Sequence, residues 1–137
     1  MGVLVVNKIL FVDDEPAILK VLECFARSHG YAPRCATTGE EALQMVIRDQ
    51  IRVIFTDLRM PAMDGLELCR KIKELDPGAC VYAVSGYVSA YTPDQFRDAG
   101  FDGYFPKPFK MDLLLEACRI AFDKVAVPEE QKPDGSC

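Results

Sequence analysis

The chain has 137 residues, half of them hydrophobic and 27% charged, a composition for one globular domain that can bury roughly two-thirds of its unfolded surface without covalent staples. With 16 Lys and Arg against 21 Asp and Glu, the formal net charge is −5, which argues against a nucleic-acid binder, whose footprint is a basic patch. No apolar run approaches the roughly 18 residues a membrane span needs.

Residues 1–6 form a short N-terminal extension. The start, Met1 to Lys8, has no basic stretch ahead of its apolar residues, so no secretory signal is expected and a cytoplasmic location follows. Ile9-Leu10-Phe11-Val12 is a continuous apolar run that ends in acid, as a strand covered on both faces should read. Residues 17–29 then bring Ile18, Leu22 and Phe25 to one helical face, with Pro16 ahead of them. Ala32 to Ala36 is a weaker strand. Residues 39–49 make a second helix, with Leu43, Val46 and Ile47 together, and Thr38-Gly39-Glu40-Glu41 fits a capping box.

Val53-Ile54-Phe55 is the third strand. A third helix over 65–75 brings Leu68, Ile72 and Leu75 together after an Asp64 cap and stops at Asp76-Pro77-Gly78. Val81-Tyr82-Ala83-Val84 is the fourth strand, and residues 93–99, opened by Thr92-Pro93 and closed by Gly100, the fourth helix. Gly103 to Phe105 is a weak fifth strand. Residues 112–125 carry Leu114, Ala117, Cys118, Ala121 and Phe122 as an apolar stripe. The domain therefore covers 7–125. Residues 126–137 read as a polar, disordered tail.

Strand and helix alternate five times, which predicts an α/β fold, a doubly wound five-stranded parallel sheet with helices on both faces. Proline is confined to sheet edges, strand starts and bulges. Pro33 lies in the second strand and Pro106 ends the fifth, so these two should be the edges, giving the order 2-1-3-4-5. The six cysteines (24, 35, 69, 80, 118 and 137) include no Cys-x-x-Cys pair and accompany a single His. They read as reduced core thiols rather than a zinc site. His29 ends a helix that starts at the site described next, so it is a surface or cap residue.

In such a sheet, sites lie outside the carboxyl ends of the strands, where the strand order switches. Asp13-Asp14-Glu15 follows the first strand, Asp57 the third, Ser85-Gly86 the fourth and Lys107-Pro108 the fifth. Three converging carboxylates repel one another and call for a cation. An oxygen-only set favours a hard one, Mg2+ or Mn2+. A hydroxyl and a lysine beside them suit phosphoryl oxygens, and an ionised Asp is already a nucleophile. Humbler roles compete: Asp13 and Asp14 could serve the first helix dipole, and Ser85 could be turn chemistry. An aspartyl-nucleophile phosphatase would place its two Asp two residues apart after the first strand, and a flavin carrier would want hydroxyls there. Asp13-Asp14-Glu15 fits neither.

The segments Ile9 to Glu15, Thr56-Asp57-Leu58-Arg59-Met60-Pro61-Ala62-Met63-Asp64-Gly65, Val84-Ser85-Gly86 and Pro106-Lys107-Pro108-Phe109 occur in this order. On them the chain resembles a response-regulator receiver domain of two-component signalling, from about Asn7 to Lys124. The resemblance implies a flavodoxin-like (βα)5 fold and Asp57 as phospho-acceptor. Asp13, Asp14, Asp57 and the Arg59 backbone carbonyl would hold Mg2+. Ser85 would hydrogen-bond the phosphoryl group, Lys107 would pair with it, Lys107–Pro108 would be cis, and Tyr104 would be the aromatic that turns inward with Ser85. It further implies a histidine kinase or phosphotransfer protein as partner, and a signalling face of helix four, strand five and helix five, which could also form a homodimer. The output would go to a partner protein or to an output domain missing here. The chain would not be a turnover enzyme but would catalyse its own Mg2+-dependent phosphorylation and dephosphorylation. Arg59 and Tyr87, two residues past Asp57 and Ser85, are bulky and are expected to slow the attacking water.

Overall fold

The computed structural model describes residues 7–126. The extension 1–6 and the tail beyond 126, with Cys137, lie outside the described residues. The elements in chain order are β1 (Lys8–Val12), α1 (Pro16–Ser28), β2 (Ala32–Ala36), α2 (Gly39–Asp49), β3 (Val53–Thr56), α3 (Gly65–Leu75), β4 (Cys80–Ser85), a 3-10 turn (Val88–Ala90), α4 (Pro93–Ala99), β5 (Gly103–Pro106) and α5 (Met111–Ala126). The sheet order is β2-β1-β3-β4-β5 and every pairing is parallel. Both proline-bearing strands are edges, as the missing amide demands.

Successive strand residues face opposite sides, so the sheet carries two cores. Leu10, Ile54, Val81 and Ala83 pack with Val46, Leu68, Ile72 and Phe96 on the side of α2, α3 and α4. Ile9, Phe11, Phe55, Tyr82 and Val84 pack with Leu19, Leu22, Phe25, Leu114 and Cys118 on the side of α1 and α5. Phe55 stacks on Tyr82 at 4.9 Å between ring centroids. Every residue of β3 and β4 is buried, whereas β5 alternates.

Several expectations need correction. Helix α1 begins at Pro16, and His29 is its C-cap, its N–H donating to the Ala26 carbonyl while Gly30 N donates to that of Arg27. Its buried stripe is Leu19, Leu22, Phe25 and Ala26, while Ile18 is only half-buried. Ile47 is 59% and Leu75 55% exposed. The buried line on α2 runs through Ala42 and Val46, four apart, and Ile47 sits about 100° round from it. Leu75 falls in the last turn of α3. Strand β4 reaches Cys80 and Ser85 because Val53 and Pro106 continue its ladders. Helix α5 is one residue longer at each end than 112–125.

Capping shows what short motifs can miss. Thr38 Oγ1 accepts from the Glu41 amide at 3.1 Å. The Glu41 carboxylate accepts from Thr37 N rather than Thr38 N, so the expected box is only half formed. The complete one lies at Thr92 and Gln95, each side chain accepting from the other's backbone N–H. Asp64 caps α3 by accepting from Glu67 N at 2.9 Å. Cys69, Cys80 and Cys118 are buried, Cys35 is half-buried and Cys24 is exposed, all unpaired. Burial pushes the Cys69 and Cys118 thiols up to about 12, which leaves them inert.

A two-point ion pair ties the entry of β3 to the end of α3. Arg52 Nε donates to Asp76 Oδ2 at 2.8 Å and its Nη2 to Oδ1 at 3.0 Å. This hydrogen bonding holds the Asp76 carboxyl below its ordinary range. A depressed carboxylate adds stability above its unfolded pKa of about 3.9 and loses it as pH falls through the folded value. The pair is about one-third exposed, so salt screens it. Asp76→Asn should therefore cost about 1 kcal/mol at pH 7, and the gap from wild type should close toward pH 3. Urea titrations at both pH values read this. An equal loss at both would assign the effect to packing.

Candidate functional site

The chain leaves β1 toward β2 on one side, and β3 lies on the other. That is the switch in strand order, and the crevice opens at the carboxyl ends of β1 and β3. Sheet hydrogen bonds carry the ladder into the site itself. Asp13 N donates to Ala36 O at 3.1 Å, and Asp57 N to Val12 O at 2.8 Å. Both aspartates are thereby fixed side by side. One carboxylate oxygen each from Asp13, Asp14 and Asp57 lies within 4.8 Å of the others. Asp13 is 2% and Asp57 6% exposed, while Asp14 faces solvent.

Each oxygen of the buried pair has a partner. Asp13 Oδ1 accepts from Glu15 N at 2.9 Å. Its Oδ2 accepts from Lys107 Nζ at 2.6 Å. Asp57 Oδ1 accepts from Leu58 N at 2.7 Å, and its Oδ2 lies 3.4 Å from the same ammonium. Lys107 thus sits closer to Asp13 than to Asp57. Burial pushes the Asp13 carboxyl up despite the Lys107 bond. Burial also works to lower the Lys107 ammonium, but Asp13 and Asp57 outweigh it and hold it above its ordinary value. One lysine faces three carboxyl groups in this cluster. The donors are all oxygen, with no imidazole or thiolate among them, and that set fits a hard dication.

Ser85 ends β4 and is fully buried. Its Oγ accepts from Tyr87 N at 3.1 Å. Lys107 N donates to Ser85 O at 3.1 Å, which joins the fourth and fifth strand ends, and the Lys107–Pro108 bond is cis. Tyr104 is 47% exposed and stacks on Phe96 of α4 at 4.5 Å. A groove of about 460 Å³ runs beside it, lined by Gly86, Val88, Phe96, Pro106 and Lys107 among others. Arg59 leaves the β3–α3 loop and lays its guanidinium over the Tyr87 ring, 4.3 Å from the centroid. His29 caps the opposite end of α1 and packs on Phe25.

Two supports escaped the sequence reading. Thr56 Oγ1 donates to the Asp57 carbonyl at 2.9 Å, behind the carboxylate. Gly65 N donates to Leu58 O at 2.9 Å, and there is no room for a Cβ between Gly65 and the Asp57 carbonyl oxygen. The Asp64-Gly65 dipeptide carried that signal, but on its own it reads as a helix start. In the sequence Arg59 and Tyr87 stand out only as bulky residues. Their contact was not foreseeable from a spacing of 28 residues.

A family model described as a response regulator receiver domain matches residues 9–119. Response regulator MprA of Mycobacterium leprae is 35% identical over 127 residues, which cover 93% of this chain and 53% of that protein. Transcriptional regulatory protein GlrR of Escherichia coli K12 is 30% identical over 124 residues, 90% of this chain and 28% of that one. The chain thus spans about half or less of the length of these relatives. Among solved structures, a CheY-like receiver domain protein from Methanospirillum hungatei matches with a TM-score of 0.80 at 30% identity, over 88% of this chain and 96% of that one. The response regulator TrrA from Thermotoga maritima, solved in complex with Mg(2+)-BeF, matches with 0.77 at 30%, over 84% and 98%. With its five parallel strands in the order 2-1-3-4-5 and a matched segment that takes in every strand but the first residue of β1, the chain belongs to the response regulator receiver domains of two-component systems.

Proposed function

We propose that the chain is a phospho-acceptor switch that takes a phosphoryl group onto Asp57 from a histidine kinase, a phosphotransfer protein or a small phosphodonor. The observation that carries this is the buried Asp13–Lys107–Asp57 arrangement with Asp14 at its rim. An Asp57 carboxylate oxygen attacks phosphorus, the new bond is O–P, and the donor's bond to phosphorus breaks with its electron pair. No general base is needed, because an ordinary aspartate is ionised at neutral pH. Lys107 neutralises charge on the transferred group as a point charge. The Ser85 hydroxyl turns to donate to a phosphoryl oxygen. Asp13, Asp14, Asp57 and the Arg59 backbone carbonyl would hold Mg2+, or Mn2+ in its place, which when bound supplies charge neutralisation for the phosphoryl oxygens. The Mg(2+)-BeF complex of the TrrA relative supports that choice.

The modification is a local charge event that biases a two-state element. With Ser85 displaced, Tyr104 moves into the groove it now borders, and the face of α4, β5 and α5 changes. That face signals to a partner protein, to an output domain or to a second copy. The chain acts in the cytoplasm, binds no nucleic acid itself, and loses its phosphoryl group slowly to water. It does not turn over an external substrate. Among the described residues no helix is long and apolar enough to cross a membrane.

Intact-mass spectrometry tests the reading. Incubated with Mg2+ and acetyl phosphate, wild type should gain one phosphoryl group. Asp57→Asn and a chelator-treated control should gain none. Equal uptake by Asp57→Asn would move the acceptor elsewhere. No uptake by folded wild type from acetyl phosphate or phosphoramidate would overturn the switch.

A further inference from the structure

Resting on the phospho-acceptor reading, we propose that Thr56 is a positioning residue for phosphoryl transfer, its hydroxyl setting the Asp57 carboxylate through the peptide bond that follows Asp57. Thr56 closes β3 with no exposed surface. In register it lies between Val12 of β1 and Ala83 of β4, both in the apolar core on the side of α2, α3 and α4. Val, the same shape without the hydroxyl, is what such a strand position ordinarily holds. A buried hydroxyl is tolerated there only with a partner. Thr56 Oγ1 donates to the Asp57 carbonyl at 2.9 Å.

That carbonyl belongs to the peptide whose N–H, on Leu58, donates to Asp57 Oδ1 at 2.7 Å. Hydroxyl, peptide and carboxylate therefore stand in one line of donation: Thr56 Oγ1 to the Asp57 carbonyl, then Leu58 N to Oδ1. Donation to the oxygen of an amide polarises it and strengthens what its N–H gives, by about 10–30% per bond. The surroundings keep the line in place. Asp57 N is fixed to Val12 O at 2.8 Å, and Gly65, with no side chain, leaves room for the Asp57 carbonyl oxygen. With Oδ1 held in this way, Oδ2 is the oxygen on the Lys107 side, 3.4 Å from the ammonium, and it is the one presented to the incoming phosphorus. Thr56 exchanges no proton in the transfer. It acts through the Leu58 N–H.

Two comparisons isolate the hydroxyl. Thr56→Val against wild type removes it with the methyl group present, and Thr56→Ala against Thr56→Ser removes it with the methyl group absent. Initial phosphoryl uptake from acetyl phosphate at saturating Mg2+ is timed by intact mass. Each comparison should show about a two- to tenfold loss, one neutral hydrogen bond converted to rate, and Thr56→Ser should keep most of the wild-type rate. The Leu58 amide proton, followed by NMR in chelator, reports on the line without any phosphoryl transfer. Its resonance should move upfield in Thr56→Val and Thr56→Ala, as the bond to the carboxylate weakens, and hold its place in Thr56→Ser. A side chain that merely fills space gives the other order, Thr56→Val close to wild type and Thr56→Ser impaired, and that order overturns the positioning role. So does a Leu58 resonance indifferent to the hydroxyl. Absence of uptake in every protein, wild type included, with the Leu58 resonance still following the hydroxyl, overturns instead the phospho-acceptor reading beneath it.

Discussion

Replacing Lys107 with Met should slow phosphoryl uptake by about 10²-fold, the usual consequence of deleting one preorganised charge-stabilising group. It should also weaken the metal-free fold. The Lys107 ammonium is the cation between Asp13 and Asp57, at 2.6 and 3.4 Å, and its side chain is only 16% exposed. Met fills a similar volume but leaves two buried carboxylates facing each other. Breaking a buried pair costs about 3–5 kcal/mol when the remaining charge has no relief. Here Asp13 has a way out, because burial has already raised its carboxyl and loss of Lys107 raises it further. The expected cost in chelator at pH 7 is therefore smaller, about 2–3 kcal/mol.

The pH dependence follows from the sign of that shift. A carboxyl whose folded pKa lies above the unfolded value makes the folded state the better proton binder, so stability falls as pH rises through the interval between the two. Lowering the pH into that interval should restore the Lys107→Met variant toward wild type. Mg2+ should stabilise the variant more than wild type, since the dication replaces the missing charge. Urea midpoints across pH, with and without Mg2+, measure both effects. A variant as stable as wild type in chelator at pH 7 would mean that Lys107 does not neutralise this pair.

Gly65→Ala should be the second large effect, although it adds only one methyl group and removes no charge. An ideal Cβ there would overlap the Asp57 carbonyl oxygen and lie 2.9 Å from Leu58 Cα and 3.1 Å from Asp57 C. All three neighbours are backbone, so no side chain can swing aside. The φ at Gly65 is not in the left-handed region, unlike that of Gly100 at +98°, and the cost is one of space rather than of backbone conformation. Overpacking of this kind costs about 1–3 kcal/mol. The pressure falls on the peptide that carries Asp57, and a displacement of about 1 Å at a reacting group can cost about 10²-fold in rate. Stability, read by urea denaturation, and the initial rate of phosphoryl uptake should fall together. Loss of stability with an unchanged rate would show that the helix, rather than the aspartate, gives way.

The sequence by itself determined which segments are strands and helices, which strands are edges, and which side chains meet at one crevice. These follow from local physics. Apolar period separates strand from helix, the missing amides of Pro33 and Pro106 select the edges, and acids at strand ends must gather where the strand order switches. Exposed Ile47 and Leu75 mark the limit of that reasoning, because a helical stripe says which face is apolar but not how far the neighbour extends along it. Only the tertiary structure decided that Lys107 sits nearer Asp13 than Asp57, 94 residues away against 50, that Thr56 and Gly65 brace the Asp57 peptide, and that Arg59 lies over Tyr87. Each depends on the path of a loop and on a side-chain rotamer set by residues distant in the chain. Periodicity carries no record of such contacts.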